Sequence, residues 1–174
     1  MKFSEMVTLF EANTDTRVDS ADLAQWFNEA QLDLAFDFAP VKSYTYADVS
    51  ANSPQDPPDD NIMIMDCDMN YETNAAGQLI FSDVPATIMY RYMPPETSLF
   101  VSTEADRESY LPKALHHLMV LWACYRYYVR DGEGDSEEMT AALRWQQDYY
   151  IAKNMAKNRL DHSGGGNARQ WTII

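Results

Sequence analysis

Two long amphipathic segments joined by a short glycine-containing loop, within residues 110–160, constrain the fold more than any other part of the sequence. The first segment begins near Pro112, a residue that suits a first helical position because its missing N–H has no helical partner to lose. Glycines at 132 and 134 predict the end of this helix, since glycine adopts left-handed geometry without steric strain. Apolar residues recur at helical spacing along one main face, formed by Leu115, Leu118, Met119, Trp122, Tyr125 and Val129. Further apolar residues continue round the helix, so we expect its middle to be buried on nearly all sides.

A second helix is predicted to begin at Asp135, because Asp135 and Glu138 have the spacing of a reciprocal cap. We expect the first half of this helix to pack on the domain and the second half to be exposed or to meet a partner. Its predicted stripe consists of Met139, Ala142, Leu143, Gln146, Tyr149, Tyr150 and Lys153. So short a connection favours an antiparallel helical hairpin.

The N-terminal part predicts a pair of helices followed by a β-rich insertion. One short helix runs from Ser4 to Asn13, and a second, capped by Asp19 or Ser20, runs to Phe38 before Pro40. The insertion, at about 42–101, is predicted to form one small antiparallel sheet. Its strands are expected at residues 42–50, 61–72, 78–82 and 86–93, with a short one at 99–101.

Two segments of the insertion have distinctive patterns. Residues 61–72 alternate, which predicts that Met63, Met65 and Cys67 share the buried face with Met69 and Tyr71. Residues 51–60 contain three prolines among small and acidic residues, and we predict a mobile loop that supplies no packed element.

The fold class predicted from these elements is α+β, with a mainly helical core formed by the long antiparallel hairpin and the N-terminal helix pair. Residues 1–160 are expected to form a single domain, and residues 161–174 a flexible C-terminal arm. Three glycines in this arm are followed by residues that favour strand geometry: Trp171, Thr172, Ile173 and Ile174. This end is interpreted either as a docking peptide or as a tail that folds back on its own domain.

The charge of the chain limits its partners. A net charge of −14 disfavours gripping nucleic acid, which requires lysine and arginine to displace counterions. Such a surface provides solubility, or a wall that DNA slides past without adhering. The N-terminus has the pattern of neither a secretory signal nor a membrane span, so we expect a soluble, intracellular protein with no membrane partner.

The residues that most often carry chemistry form no recognisable site. Asp66, Asp68 and Asn70 imitate the start of a calcium loop, but Tyr71 and Gly77 occupy the positions where glycine and glutamate are needed. The adjacent His116 and His117 diverge around a helix and cannot chelate one ion together. Cys67 and Cys124 are expected to be reduced thiols. We therefore expect no enzyme activity, no cofactor and no metal.

Aromatic residues are dense in the two long helices. Two helices bury only some of them, so a few are predicted to lie on the surface as anchors for neighbouring subunits, although packing of all of them in the core is the alternative. The predicted interface aromatics are Tyr127, Tyr128, Trp145 and Tyr149.

The succession of segments resembles that of bacteriophage head–tail connector (adaptor) proteins. The similarity covers residues 21–38 and 88–160: a capped helix (ADLAQWFNEAQLDLAFDF), a strand ending in IMYRYMPPE, and a helical pair beginning at YLPKALHHLMVLWACYRYYVRDGEGDSEEM. It implies a non-enzymatic virion protein that is assembled in the host cytoplasm. Such subunits form a ring, commonly of twelve, which joins the portal to a tail or nozzle protein and lines the DNA channel.

Within this resemblance, an acidic lumen would let DNA pass without specific binding, surface aromatics would seal subunit contacts, and the arm at 164–174 would dock on the portal or on an adjacent subunit. Two other hypotheses remain open. One is a non-enzymatic binding module with a single soluble partner, and the other is a hydrolase with an acidic metal site around Asp66 and Asp68.

Overall fold

The computed structural model describes residues 1–131 and 136–163, which form four α-helices and two small antiparallel sheets. The α+β class predicted from the sequence is therefore confirmed. The helices are α1 (Phe3–Thr14), α2 (Ser20–Phe38), α3 (His116–Asp131) and α4 (Ser136–Ser163). The strands are β1 (Val41–Tyr46), β2 (Pro54–Gln55), β3 (Asn61–Cys67), β4 (Tyr71–Thr73), β5 (Leu79–Phe81) and β6 (Ala86–Tyr92).

The chain divides into two compact units. A helical unit comprises Met1–Phe38 together with the described chain from Pro94 onward, and a sheet unit comprises Ala39–Met93. The β-rich segment expected at 42–101 thus corresponds to a unit that begins three residues earlier and ends eight residues earlier.

Local hydrogen bonds explain where the first two helices begin. The Lys2 backbone N–H donates to the Glu5 carboxylate over 2.8 Å, and the Ala21 N–H donates to the Asp19 side chain over 2.8 Å. Each carboxylate satisfies a first-turn donor that has no helical partner. The predicted cap at Asp19 and the predicted end at Phe38 are both confirmed.

The core of the helical unit is formed by the apolar faces of all four helices and by Phe100. The ring of Phe3 lies 5.8 Å from Phe27 and 5.6 Å from Phe100, centroid to centroid. Asn28 fixes Phe100 from the other side, since its amide nitrogen donates to the Phe100 carbonyl over 3.0 Å and its oxygen accepts from the Phe100 N–H over 2.8 Å. The strand predicted at 99–101 is wrong, because a side chain on α2 takes the place of a partner strand.

The start of the first long helix differs in detail from prediction, and the start of the second agrees with it to within one residue. A 3₁₀ turn, Lys113–Leu115, follows Pro112, so α3 itself begins at His116. Helix α4 begins at Ser136, and the predicted cap at Asp135 lies outside the described residues. The two helices contact each other through Trp122 and Tyr149, whose ring centroids are 5.2 Å apart.

The sheet unit contains two three-stranded antiparallel sheets where one was predicted. In the first sheet β6 is central and pairs with β1 and β3, and in the second β5 is central and pairs with β2 and β4. Their facing residues form a separate core of Tyr46, Leu79, Phe81, Ala86, Ile88 and Tyr90. At the β4–β5 turn Gly77 has φ of 81°, a left-handed conformation that favours glycine.

Four predictions for the sheet unit are wrong. Residues 61–72 are two strands, β3 and β4, that belong to different sheets. Met63 and Met65 are exposed, because register shifts along β3 leave Ile64 and Cys67 to pack on the core. Residues 51–60 are more than a loop, since they contain β2, which pairs with β5. The first strand was predicted to reach residue 50, but β1 ends at Tyr46.

Candidate interaction surfaces

Tyr149, predicted at a subunit interface, is fully buried inside its own chain, so that prediction is wrong. Its ring packs on Trp122, and its hydroxyl donates a hydrogen bond to the Asp33 carboxylate on α2. Burial and this hydrogen bond raise the pKa of Tyr149 far above its ordinary value of 10.0. The hydroxyl therefore stays protonated and holds α4 against α2.

Tyr127 is half-buried and contributes mainly to packing within the helical unit. Its ring lies 5.9 Å from Phe10 on α1, and its hydroxyl is 3.3 Å from the hydroxyl of Thr16, within hydrogen-bonding distance. It also contacts Tyr128, with ring centroids 5.0 Å apart.

Tyr128 and Trp145 lie together in a surface groove between α3 and α4. This aromatic groove has a volume of about 470 Å³ and is completed by Glu137, Thr140, Ala141, Arg144 and Asp148. Burial is the main cause that raises the pKa of Tyr128, and the neighbouring Tyr127 raises it further. Two aromatic rings beside two carboxylates suit an apolar or cationic side chain of a partner. Of the four predicted aromatics, the structure brings these two into one surface feature.

Exposed apolar side chains, with uncharged polar ones among them, run along one side of α4. Met139, Leu143 and Tyr150 are 42%, 59% and 47% exposed, although the first two were predicted to pack on the domain. Gln147 and Asn154, both exposed, lie on the same side of the helix. We call these five residues the α4 stripe. The stripe contains no charged residue, whereas the buried side of α4 carries Ala142 and Tyr149.

A second surface groove lies on α2. Its floor is formed by Ala24 and Phe100, which are buried, and its sides by Leu32 and Val101, which are 38% and 43% exposed. The volume of this α2 groove is about 490 Å³, and the remaining lining residues are Ala21, Gln25, Asn28, Glu29 and Ser102. The sequence pattern missed this feature, because Phe100 and Val101 reach α2 through a segment that was predicted as a strand.

The one charge in the α2 groove is balanced within the chain. Glu29 lies 3.3 Å from the Nε atom of Arg126 and accepts a hydrogen bond from the Trp122 indole nitrogen over 3.3 Å. The groove is therefore apolar and amide-rich, and its single carboxylate already has cationic and neutral donors.

Asp66 and Asp68, the residues of the hypothetical acidic metal site, accept hydrogen bonds from the backbone of the sheet unit. Asp68 accepts a hydrogen bond from the Thr87 N–H over 2.7 Å, and Asp66 accepts one from the Cys67 N–H over 2.9 Å. Within residues 1–131 and 136–163, no group of three or more histidine, cysteine, aspartate or glutamate side chains could hold a metal ion. Cys67 and Cys124 are free thiols, and burial raises the pKa of Cys124 to about 12.

The two adjacent histidines have different environments. His116 is buried, and its Nε2 atom donates to the Leu111 carbonyl over 2.8 Å. His117 is exposed. Burial lowers the pKa of His116, and the hydrogen bond to Leu111 only partly opposes this effect. His116 is thus a structural residue at the start of α3.

The predicted docking residues Trp171, Thr172, Ile173 and Ile174 lie outside the described residues. Among the helices that the structure describes, none is long and apolar enough to cross a membrane. Comparison with models of known protein families and with curated proteins found no match for the chain.

Proposed function

We propose that the protein is a head–tail connector (adaptor) subunit of a bacteriophage virion, one copy of a ring that joins the portal to the tail. The role is structural and requires no catalysis, cofactor or metal. Along the chain, two helices precede the sheet unit and two follow it. This order supports the proposal because it matches the succession of segments on which the resemblance rests.

The observation that carries the proposal is the α4 stripe. A subunit that functions alone has no need of three large apolar side chains, each more than two-fifths exposed, along one helix. A subunit of a ring needs a repeating contact, and such contacts have apolar centres from which charged residues are depleted. Helices α3 and α4, as an antiparallel hairpin, would form the wall that presents this stripe to the next subunit.

The net charge of −14 fits a ring through which DNA passes. An acidic lumen repels phosphates, so DNA can move along it without specific binding. In this proposal residues 171–174 dock on the portal or on an adjacent subunit, and a tail or nozzle protein binds the opposite end of the ring. The subunit would assemble in the host cytoplasm and reside in the neck of the virion.

Light scattering tests the proposal directly. We expect the full-length chain, alone or mixed with purified portal from a tailed phage, to form a species of about twelve times the 20.0 kDa subunit mass. Deletion of residues 171–174 should leave the circular dichroism spectrum unchanged and abolish joining to the portal. A chain that stays monomeric with every portal tested would contradict the connector role.

The aromatic groove supports a second candidate, a binding module with one soluble partner. Tyr128 and Trp145 form a pocket large enough for one or two side chains, which is typical of a peptide-binding site. In that case Trp145→Ala would abolish binding of the partner while Leu143→Ala would not.

A further inference from the structure

The α4 stripe projects large apolar side chains, and the α2 groove is a shallow depression of similar length to the run of those side chains. The apolar side chains of the stripe extend from Met139 to Tyr150, and the groove extends along α2 from Ala21 to Leu32. Each covers eleven residue steps of a helix, which is about 16 Å. Small residues in the groove, Ala21 and Ala24, leave space that large side chains can fill.

The charges identify a second copy of this chain as the occupant. Two copies with a net charge of −14 repel each other, so a contact between them is favourable only where neither surface adds negative charge. The α4 stripe has no charged residue, and the single carboxylate of the α2 groove, Glu29, is already paired with Arg126. A basic partner would instead bind the acidic surfaces of this protein, because the α4 stripe and the α2 groove offer it no electrostatic attraction.

We propose that the α4 stripe of one subunit packs into the α2 groove of the next. The two surfaces differ, so the contact is heterologous and repeats from head to tail, as a closed ring requires. Leu143 occupies the middle of the stripe and packs against the groove near Gln25, which is exposed at its centre. This inference rests on the proposed ring and assigns its subunit contact to named residues.

Disulfide cross-linking tests the contact in the full-length protein. The parent is Cys67→Ser, because Cys67 is the more accessible of the two natural cysteines; Cys124 is buried. Two proteins are made from it, one with Leu143→Cys and one with Gln25→Cys. These middle positions meet whichever way the two helices run. Under mild oxidation we expect a covalent dimer when the two proteins are mixed, and little from either protein alone.

The matched control is Asp148→Cys, exposed on α4 but on a different side from the stripe. Mixed with Gln25→Cys, it should form no covalent dimer. Efficient cross-linking of Leu143→Cys to itself would show that two stripes pack together, and it would overturn the heterologous contact. If Asp148→Cys cross-links to Gln25→Cys as readily as Leu143→Cys does, the heterologous contact would also be overturned.

Sedimentation velocity supplies an independent measurement. Leu143→Glu places an unpaired charge in the contact and should weaken self-association at least about tenfold. Asn158→Glu adds the same charge to an exposed position beyond the stripe and should change it less than about twofold. Equal effects of the two variants, or a wild-type chain that is monomeric up to about 1 mM, would refute the contact.

The outcomes separate this contact from the proposed function. If wild-type protein assembles and Leu143→Glu does not, yet no portal binds, the contact stands and the connector role fails. If the protein joins the portal as a ring and Leu143→Glu joins equally well, the connector role stands and the contact fails.

Discussion

The hydroxyl of Tyr149 links α4 to α2. It donates to Asp33, which also accepts a hydrogen bond from Lys153 over 2.8 Å. A buried hydroxyl that donates to a carboxylate stabilises more than a neutral hydrogen bond at the surface. The aromatic ring remains packed on Trp122 whether or not the hydroxyl is present.

Removal of this hydroxyl in Tyr149→Phe is expected to lower the free energy of unfolding by about 1–2 kcal/mol. The matched control is Tyr150→Phe, on the neighbouring exposed tyrosine, which should change stability by less than about 0.5 kcal/mol. Urea denaturation followed by circular dichroism measures both. Equal stabilities of the two variants would show that the Asp33 hydrogen bond contributes nothing net.

His116 makes stability depend on pH in a defined direction. Burial lowers its pKa in the folded protein below the ordinary value of 6.5, so the unfolded chain binds the proton first. The contribution of His116 is therefore complete above about pH 6.5 and is lost as the pH falls below that value, at no more than about 1.4 kcal/mol per pH unit. Most carboxylates titrate at lower pH, so the window from about pH 7 to 5.5 largely excludes them.

We expect the urea midpoint of the wild-type protein to decrease across this window. His116→Gln, which keeps a donor for the Leu111 carbonyl, should remove most of the decrease, while His117→Gln should retain it because that side chain is exposed. A His116→Gln variant with an unchanged pH dependence would assign the effect to other groups.

At the scale of helices, α2 and α4 are joined by a ladder of ion pairs. Lys153 lies 2.8 Å from Asp33 and 3.3 Å from Asp37, and Lys157 lies 2.7 Å from Asp37. Burial of Asp37 raises its pKa, but hydrogen bonds from Lys157 and Lys153 outweigh this effect, and the net pKa is lowered. The carboxylate thus contributes stability above about pH 4 that is lost as the pH falls through its lowered pKa.

The two lysines should differ in importance because the Lys153 side chain is 14% exposed and that of Lys157 is 54% exposed. Lys153→Met is expected to destabilise by about 1–2 kcal/mol, because it leaves two carboxylates close together without their shared cation. Lys157→Met removes a solvent-screened pair and should change stability by less than about 1 kcal/mol. Thermal denaturation of the two variants compares them, and a larger effect at Lys157 would contradict this ranking.

The helices of this fold were predictable from sequence because apolar residues that recur every three to four positions indicate an amphipathic helix. The strands were less so. The alternation in residues 61–72 continues through the point where the chain leaves one sheet for the other, and no local signal marks that change. Strand β2 has only two residues and depends on β5 for its existence, so local propensity could not reveal it.

The interaction surfaces show a related limit of sequence patterns. Periodicity places Leu143 and Tyr149 on the apolar part of α4, but it does not indicate which of them packs in the core of its own subunit and which is exposed. Tyr149 is buried because Asp33 and Trp122 meet it, and Leu143 is 59% exposed. Such an assignment requires tertiary contacts with α2 and α3, which the pattern within α4 does not reveal.

For the whole molecule, charge and apolar surface have opposite effects on assembly. Each copy has a net charge of −14, so copies repel one another at low ionic strength. The proposed contact, by contrast, is apolar and is little affected by screening. The association constant should therefore depend on the range of the electrostatic repulsion between copies, and not on ion pairs across the interface.

Salt should consequently strengthen self-association. An increase in NaCl from about 0.1 to 1 M shortens the Debye length from about 10 to 3 Å and reduces the repulsion between copies. We expect the association constant from sedimentation to rise over this range. Glu72→Gln with Asp83→Asn, which removes two exposed charges from the sheet unit, should raise it at low salt and reduce the response to NaCl. Urea denaturation in both salts separates this effect from a change in folding stability. If association weakens as NaCl increases, the subunits are held by ion pairs, and an apolar contact between the α4 stripe and the α2 groove is excluded.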